Sequence, residues 1–491
     1  NLYGEVSIPG VDGLKYRLNI GLNLRTSRDG FFNGQGVANI DPFAPNSAGN
    51  SSNLFQDYVI ENLLTYDKTF ADKHKVNIVG LYSVQNSKSE SSFLNARNIP
   101  NEQFLFYNLD SALLEDITGY GSDYGENGLE SIMGRAIYQY DNRYLLTATV
   151  RADGSSRLAP GNKWVTYPAI SLGWNVANEK FMQDVDWVSL LKLRAGYGET
   201  SNQAVANYAT LGNLGVRNYN FGDTFATGYF VQDLPNANLG WEFSETYNYG
   251  IDFGLFNNRL SGTVEYYTTK TNDILYRVGL PSTSGVGSFV GNIGATENKG
   301  LEVALNATIL DNPDGFTWDF GVNLYTNRNE IVSLASGQDR NEGQLWFVGS
   351  PINVIYDHKN IGLWNEDDPD FQYLQTYEPG GNVGMIKVEY TGEFNEDGSP
   401  VRQIDSDDRQ IIDPTPDFQG GFNTRLAYKN FDFNMVGVFQ SGGTLISTLY
   451  SSAGYLNLLT GRRNNIDVDY WTPTNTDAKY PAPGGIQDGD G

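Results

Sequence analysis

Hydrophobic and polar residues alternate with a period of two along most of the chain, which predicts strands rather than helices. Over 14–25, Tyr16, Leu18, Ile20, Leu22 and Leu24 share one parity, and Lys15, Arg17, Asn19, Gly21, Asn23 and Arg25 take the other. The same pattern predicts strands over 57–67, 75–85, 131–140, 143–152, 166–176, 190–199, 244–255, 259–269, 298–309, 316–327, 421–429 and 431–441. In 244–255, Tyr247, Tyr249, Ile251, Phe253 and Leu255 oppose Asn248, Gly250, Asp252 and Gly254. In 316–327, Phe316, Trp318, Phe320, Val322 and Leu324 oppose Thr317, Asp319, Gly321 and Asn323. A half-buried strand of a soluble sandwich reads the same way in isolation. Repetition favours a lipid-facing belt opposite a polar lumen, since roughly ten alternating residues span a bilayer as a tilted strand.

The connections alternate in length. Short links are predicted at Asp141-Asn142, at Phe256-Asn257-Asn258, through Asp311–Gly315 and at Asn430. Asn, Asp and Gly supply the left-handed backbone of tight hairpins. Long loops are predicted over 26–56, 86–130, 200–243, 270–297 and 328–420, with 153–165 and 177–189 equal in length. Short turns on one side and long loops on the other are the asymmetry of an outer-membrane barrel.

Composition narrows the classes. With 33 basic and 58 acidic residues the 491-residue chain carries a formal charge of −25, which argues against nucleic acid as a partner. It has no Cys, which removes disulfides, thiol catalysis and Cys-ligated zinc, and only two His, His74 and His358. No apolar run reaches the length of a transmembrane helix. The opening Asn1-Leu2-Tyr3 reads as mid-protein sequence, the closing Asp488-Gly489-Asp490-Gly491 as loop, and thirteen strands is an odd number. The expectation is an all-β, antiparallel transmembrane β-barrel segment over 1–491, without an internal domain boundary and with further strands elsewhere.

Several motifs then converge. Gly134-Arg135, the run Tyr144 through Arg157 containing Arg151-Ala152-Asp153-Gly154-Ser155-Ser156-Arg157, Leu172-Gly173-Trp174-Asn175 and Leu193-Arg194-Ala195-Gly196-Tyr197-Gly198 appear in order. They are followed by Asn238-Leu239-Gly240-Trp241-Glu242, Glu297-Asn298-Lys299-Gly300-Leu301-Glu302, Tyr428-Lys429-Asn430-Phe431-Asp432 and Tyr470-Trp471-Thr472-Pro473. Together they resemble the SusC/RagA family of TonB-dependent outer-membrane transporters, departing from it in small ways such as Ser201 before Asn202. The resemblance implies a barrel of about 22 strands around an N-terminal plug. It also implies energy delivered by the TonB-ExbB-ExbD complex through an N-terminal region absent from this chain. It implies a SusD-like surface lipoprotein, a glycan or peptide substrate, and residence among the lipids of a Gram-negative outer membrane. The plug, the TonB box and the terminal strands are not found in the sequence. A secreted, soluble β-rich carbohydrate-binding or structural protein is the alternative from another class.

Candidate chemistry is sparse. Asp405, Asp407 and Asp408 crowd three carboxylates into four positions, a set for calcium if Glu393, Asn395, Asp397 or the backbone near Gly398 adds oxygens. A hydrated acidic loop is the competing picture. The second acidic run, Glu366-Asp367-Asp368-Pro369-Asp370, is weaker. Two distant His, His74 in a turn and His358 in a mixed region, support no catalytic triad, and no phosphate-binding glycine loop is present, so an enzyme is not expected. Lys15, Arg17, Arg25, Arg135, Arg151, Lys192 and Arg194 fall on the lumen parity and need partners, from a plug or from water. Loop aromatics such as Phe31, Tyr120, Tyr219, Phe221, Tyr229, Phe230 and Trp346 are candidates to stack on sugars or on a lid protein.

Overall fold

Strand alternation organises most of the described residues in the computed structural model, which describes residues 1–37, 42–222, 224–312, 315–447 and 469–482. Fourteen strands form one sheet whose order follows the sequence. They are β1 (Leu2–Ser7), β2 (Leu14–Asn33), β3 (Ser47–Phe70), β4 (His74–Arg97), β5 (Ile117–Tyr140), β6 (Tyr144–Ser155) and β7 (Trp164–Asn175). They continue with β8 (Val188–Asn202), β9 (Glu242–Leu255), β10 (Leu260–Asn272), β11 (Ala295–Asp311), β12 (Phe316–Ser333), β13 (Phe418–Tyr428) and β14 (Phe431–Ser441). All thirteen predicted strands are present. The additional one, β1, has too few residues, with Gly4 in its middle, to show a clear period.

The larger difference is length. β2 has 20 residues and β3, β4 and β5 have 24 each, so much of the predicted loops 26–56 and 86–130 is strand. Beyond Arg25 polar residues enter both faces and the hydropathy period fades, while backbone pairing runs on from Thr26↔Leu54 to Asn33↔Ser47. Remaining connections carry small hairpins, Leu214–Phe221 with Thr224–Val231 and Leu275–Gly279 with Ser288–Asn292. The tight turns at Asp141-Asn142, Phe256-Asn257-Asn258 and Asn430 are as predicted, and residues 313–314 of the fourth lie outside the described residues. Asp141 and Asn142 hold φ of 51° and 53°, and Arg143 N–H closes the turn on Tyr140 O at 2.9 Å. His74, expected in a turn, instead opens β4.

Directly paired residues of antiparallel strands project to the same face. Ile20 therefore lies beside Ile60, and Ile60 beside Val84; Leu193 joins Ile251, Val264 and Val303 in another apolar row. The other face carries the row Asn19–Glu61–Ser83–Ser131–Asp153. Few strand residues are buried. Buried apolar clusters sit mainly in connections: Leu158, Val205, Leu239 and Trp241 with Val165, and Ile99 and Leu109 with Ala48 and Ala96.

Two compact units divide the chain, one of 1–323, 333–336 and 422–436, the other of 324–332, 337–421 and 437–491. In the second, Trp364, Leu374, Tyr377 and Met385 form a small core. Trp471 joins this unit by donating from Nε1 to Asn365 Oδ1 at 2.7 Å. Among the described residues no helix is long and apolar enough to cross a membrane.

Candidate functional site

The apolar face is solvent-exposed on the isolated sheet, as a lipid-facing surface must be. Leu22 is 68% exposed and Leu24 61%, and Ile170, Leu172, Val150 and Ile251 are exposed as well. Tyr16 and Leu18, and Phe253 and Leu255 further on, share their strands' apolar parity through the register. An aromatic row closes this face at the short turns. Phe70 pairs with His74, His74 with Tyr140, Tyr140 with Tyr144 and Tyr144 with Trp174. His74 stacks on Tyr138, whose hydroxyl lies 2.8 Å from Nδ1. Aromatic girdles of this kind mark the membrane–water interface.

The polar face supplies partners for its own cations. Arg194 donates to both Asp252 oxygens at 2.9 and 3.0 Å and to Glu265 at 3.4 Å, while Thr263 donates to Asp252 at 3.1 Å. Arg151 donates to Asp153 at 2.8 Å and to Ser131 at 3.1 Å, and the Tyr167 hydroxyl donates to the same carboxylate. Lys15 pairs with Glu5 at 3.0 Å, Arg17 donates to Asn19 at 2.7 Å and Arg135 to Thr149 at 3.1 Å. Arg25 lies over the Phe55 ring at 5.3 Å, and Lys192 is in register with Asp252. The sheet thus offers these cations partners of its own, where the sequence reading looked to a plug or to water. Glycines make the face flat enough for side chains to lie along it. A Cβ on Gly250 would meet Arg194 at 2.8 Å, and one on Gly300 the Tyr267 ring at 2.4 Å.

In the second unit the acidic residues form a different structure from three converging carboxylates. Asp408 is fully buried. Its oxygens accept from Arg402 Nη1 at 2.5 Å and Nη2 at 3.2 Å, from Thr391 N–H at 2.8 Å and Oγ1 at 2.9 Å, and from Asp405 N–H at 3.0 Å. Burial pushes this carboxyl up, and the Arg402 pair, the two backbone N–H groups and the Thr391 hydroxyl outweigh it, holding the pKa at about 2. Asp405 caps the short turn by accepting from Asp407 N–H at 2.8 Å, and its Oδ1 lies 3.1 Å from Arg402. Asp407 points to solvent. The charge facing Asp405 and Asp408 is the Arg402 guanidinium. The segment does fold back, but through Thr391; Asp397 accepts from Ser399 in its own turn. Among the described residues no three His, Asp or Glu are grouped to hold a metal. His358 faces the Asp405 carbonyl at 2.8 Å, and Lys387 lies 3.6 Å from both Asp368 and Asp370, above the Trp364 ring. Arg402 and Thr391 escaped the sequence reading because neither stands within the acidic triplet.

Comparison with known proteins agrees with this geometry. Residues 9–482 match the family model described as TonB dependent receptor-like, beta-barrel. TonB-dependent receptor P3 of Formosa agariphila is 33% identical over 491 residues, covering 96% of this chain and 47% of that protein. TonB-dependent receptor SusC of Bacteroides thetaiotaomicron is 35% identical over 343 residues, covering 66% of this chain and 32% of SusC. The structure of the RagAB peptide transporter matches with a TM-score of 0.81 at 23% identity, covering 99% of this chain and 52% of that one, a likeness of fold. The chain spans about half the length of these relatives, or less.

Proposed function

The chain belongs to the TonB-dependent receptor β-barrel family, outer-membrane proteins of Gram-negative bacteria that are not enzymes, and from this premise we propose that it forms the barrel of a SusC/RagA-type importer. The importer moves oligosaccharides or oligopeptides into the periplasm, draws energy through TonB-ExbB-ExbD, and works with a SusD-like surface lipoprotein. The 1–491 region is the barrel segment of a longer protein that also supplies the plug and the remaining strands. One observation carries this reading: the register gives a continuous apolar face backed by a polar face that offers its own charges partners. Such a sheet suits lipid on one side and water on the other. The long connections on the outer side are the surface for the lipoprotein.

The test is purification of the full-length protein from native membranes under mild detergent, paired with uptake in cells with and without TonB. A stoichiometric lipoprotein partner and TonB-dependent uptake are the expected outcomes. A protein that extracts into buffer as a monodisperse monomer contradicts the reading.

A further inference from the structure

We propose that the polar face of β2–β5, in the half of these strands beyond the apolar band, is a binding wall for an uncharged oligosaccharide. The inference deepens the importer reading and rests on it. Four cross-strand rows build the wall: Asn23–Asp57–Ser87–Asn127, Arg25–Phe55–Ser89–Gly125, Ser27–Asn53–Ser91–Asp123 and Asp29–Ser51–Phe93–Gly121. Phe31, in the next row, projects from the same face.

Two rings are set as platforms. Phe31 lies across Gly49, where a Cβ would come 2.5 Å from the ring, and Phe93 lies across Gly121, where it would come 2.7 Å away. Each ring rests on backbone, yet Phe31 is 46% and Phe93 45% exposed. An open aromatic face of this kind takes the C–H face of a pyranose. Hydroxyl and amide groups surround them at strand spacing, several in pairs that a ligand hydroxyl can join. Asn53 donates to Ser27 at 3.2 Å, and Asp57 accepts from Ser87 at 2.6 Å and Gln85 at 3.1 Å.

Charge and backbone select among polymers. Across the four rows the charges are Arg25 against Asp29, Asp57 and Asp123, so uronate or sulfated chains are repelled. β3 and β4 are paired on both sides and offer no free edge, so an extended peptide cannot join as an added strand and recognition falls to side chains. Hydroxyl, amide and aromatic faces in that balance fit neutral sugars best.

The experiment is calorimetric titration of the full-length transporter, with its lipoprotein, in detergent. Probes are maltohexaose, laminarihexaose, cellohexaose, mannohexaose and xylohexaose, with hexaguluronate and a mixture of six-residue peptides as contrasts. At least one neutral hexasaccharide binds, Phe93→Ala and Phe31→Ala each weaken it about tenfold, and Phe93→Trp preserves it. Unchanged heat-modifiable migration of the Ala variants in gels shows that they are folded. Binding of only the acidic sugar or the peptides, binding of none, or a neutral sugar held equally by folded Phe93→Ala overturns the inference. TonB-dependent uptake by the wild type, measured alongside, separates the two readings: if uptake persists while the wall variants bind normally, only the wall fails.

Discussion

The sheet and the 334–417 excursion between β12 and β13 are stabilised in opposite ways. In the sheet almost nothing large is buried: apolar side chains point outward, and charges such as Arg194 and Asp252 remain partly exposed beside their partners. The excursion buries Trp364 almost completely and Asp408 entirely. A membrane strand has two solvents and needs no core, because lipid takes one face and water the other. A long connection in water must build its own core, and a carboxylate taken inside needs every oxygen occupied. Substitutions in the two regions should therefore fail for different reasons.

The largest effect is expected at Arg402. Arg402→Ala leaves Asp408 buried without its cation, a loss of about 3 kcal/mol or more. Hydrogen exchange across 388–412 in the full-length protein should show that loss locally, with amides of β6–β8 unchanged. If protection falls equally in both regions, the excursion does not stand on its own core. Next comes the lipid face. Ile170→Arg places a charge on the exposed apolar face and should cost about 2–4 kcal/mol in unfolding from lipid vesicles, while Ser171→Arg, one residue on, should cost well under half of that. Equal costs would remove the distinction between the faces.

A pH effect of about 2 kcal/mol is expected at Asp408 in the excursion. Asp408 has a folded pKa of about 2, below its unfolded value near 3.9. Its contribution is complete above the unfolded pKa and is lost as pH falls through the folded one. Exchange protection around Asp408, corrected for intrinsic rates, should be flat from pH 7 to about 4.5 and decline only between about 4 and 2. A decline centred near pH 6 would assign the dependence to another group. The smallest change is Gly300→Ala, which lifts the Tyr267 ring off the sheet at a cost of about 1 kcal/mol.

What the sequence disclosed follows the same division. Period-two alternation located thirteen of the fourteen strands because a lipid-facing row is apolar at every second position, as in Tyr16 to Leu24. It underestimated β2–β5 because residues such as Ser51, Ser52, Asn53, Ser89 and Ser91 bring polar groups to both faces, and strand pairing then has no hydropathic signature. Asp141-Asn142 was legible because its backbone demand is local. The Asp408 site was not. Arg402 and Thr391 are paired with it by tertiary folding, and three nearby acids look alike in sequence whether a metal, water or a guanidinium balances them.

The absence of Cys from residues 1–491 favours the most direct test of the two-faced sheet, with any Cys elsewhere in the full-length transporter first replaced by Ser. Single Cys residues placed at each position from 18 to 25 in the full-length transporter, embedded in native outer membrane, can be labelled with a membrane-impermeant maleimide and, separately, with a nitroxide read by oxygen and nickel relaxation. The account predicts strict alternation. Positions 18, 20, 22 and 24 should be oxygen-accessible and refractory to the maleimide, and positions 19, 21, 23 and 25 the reverse. Uniform labelling along the segment, or alternation of the opposite phase, would contradict it.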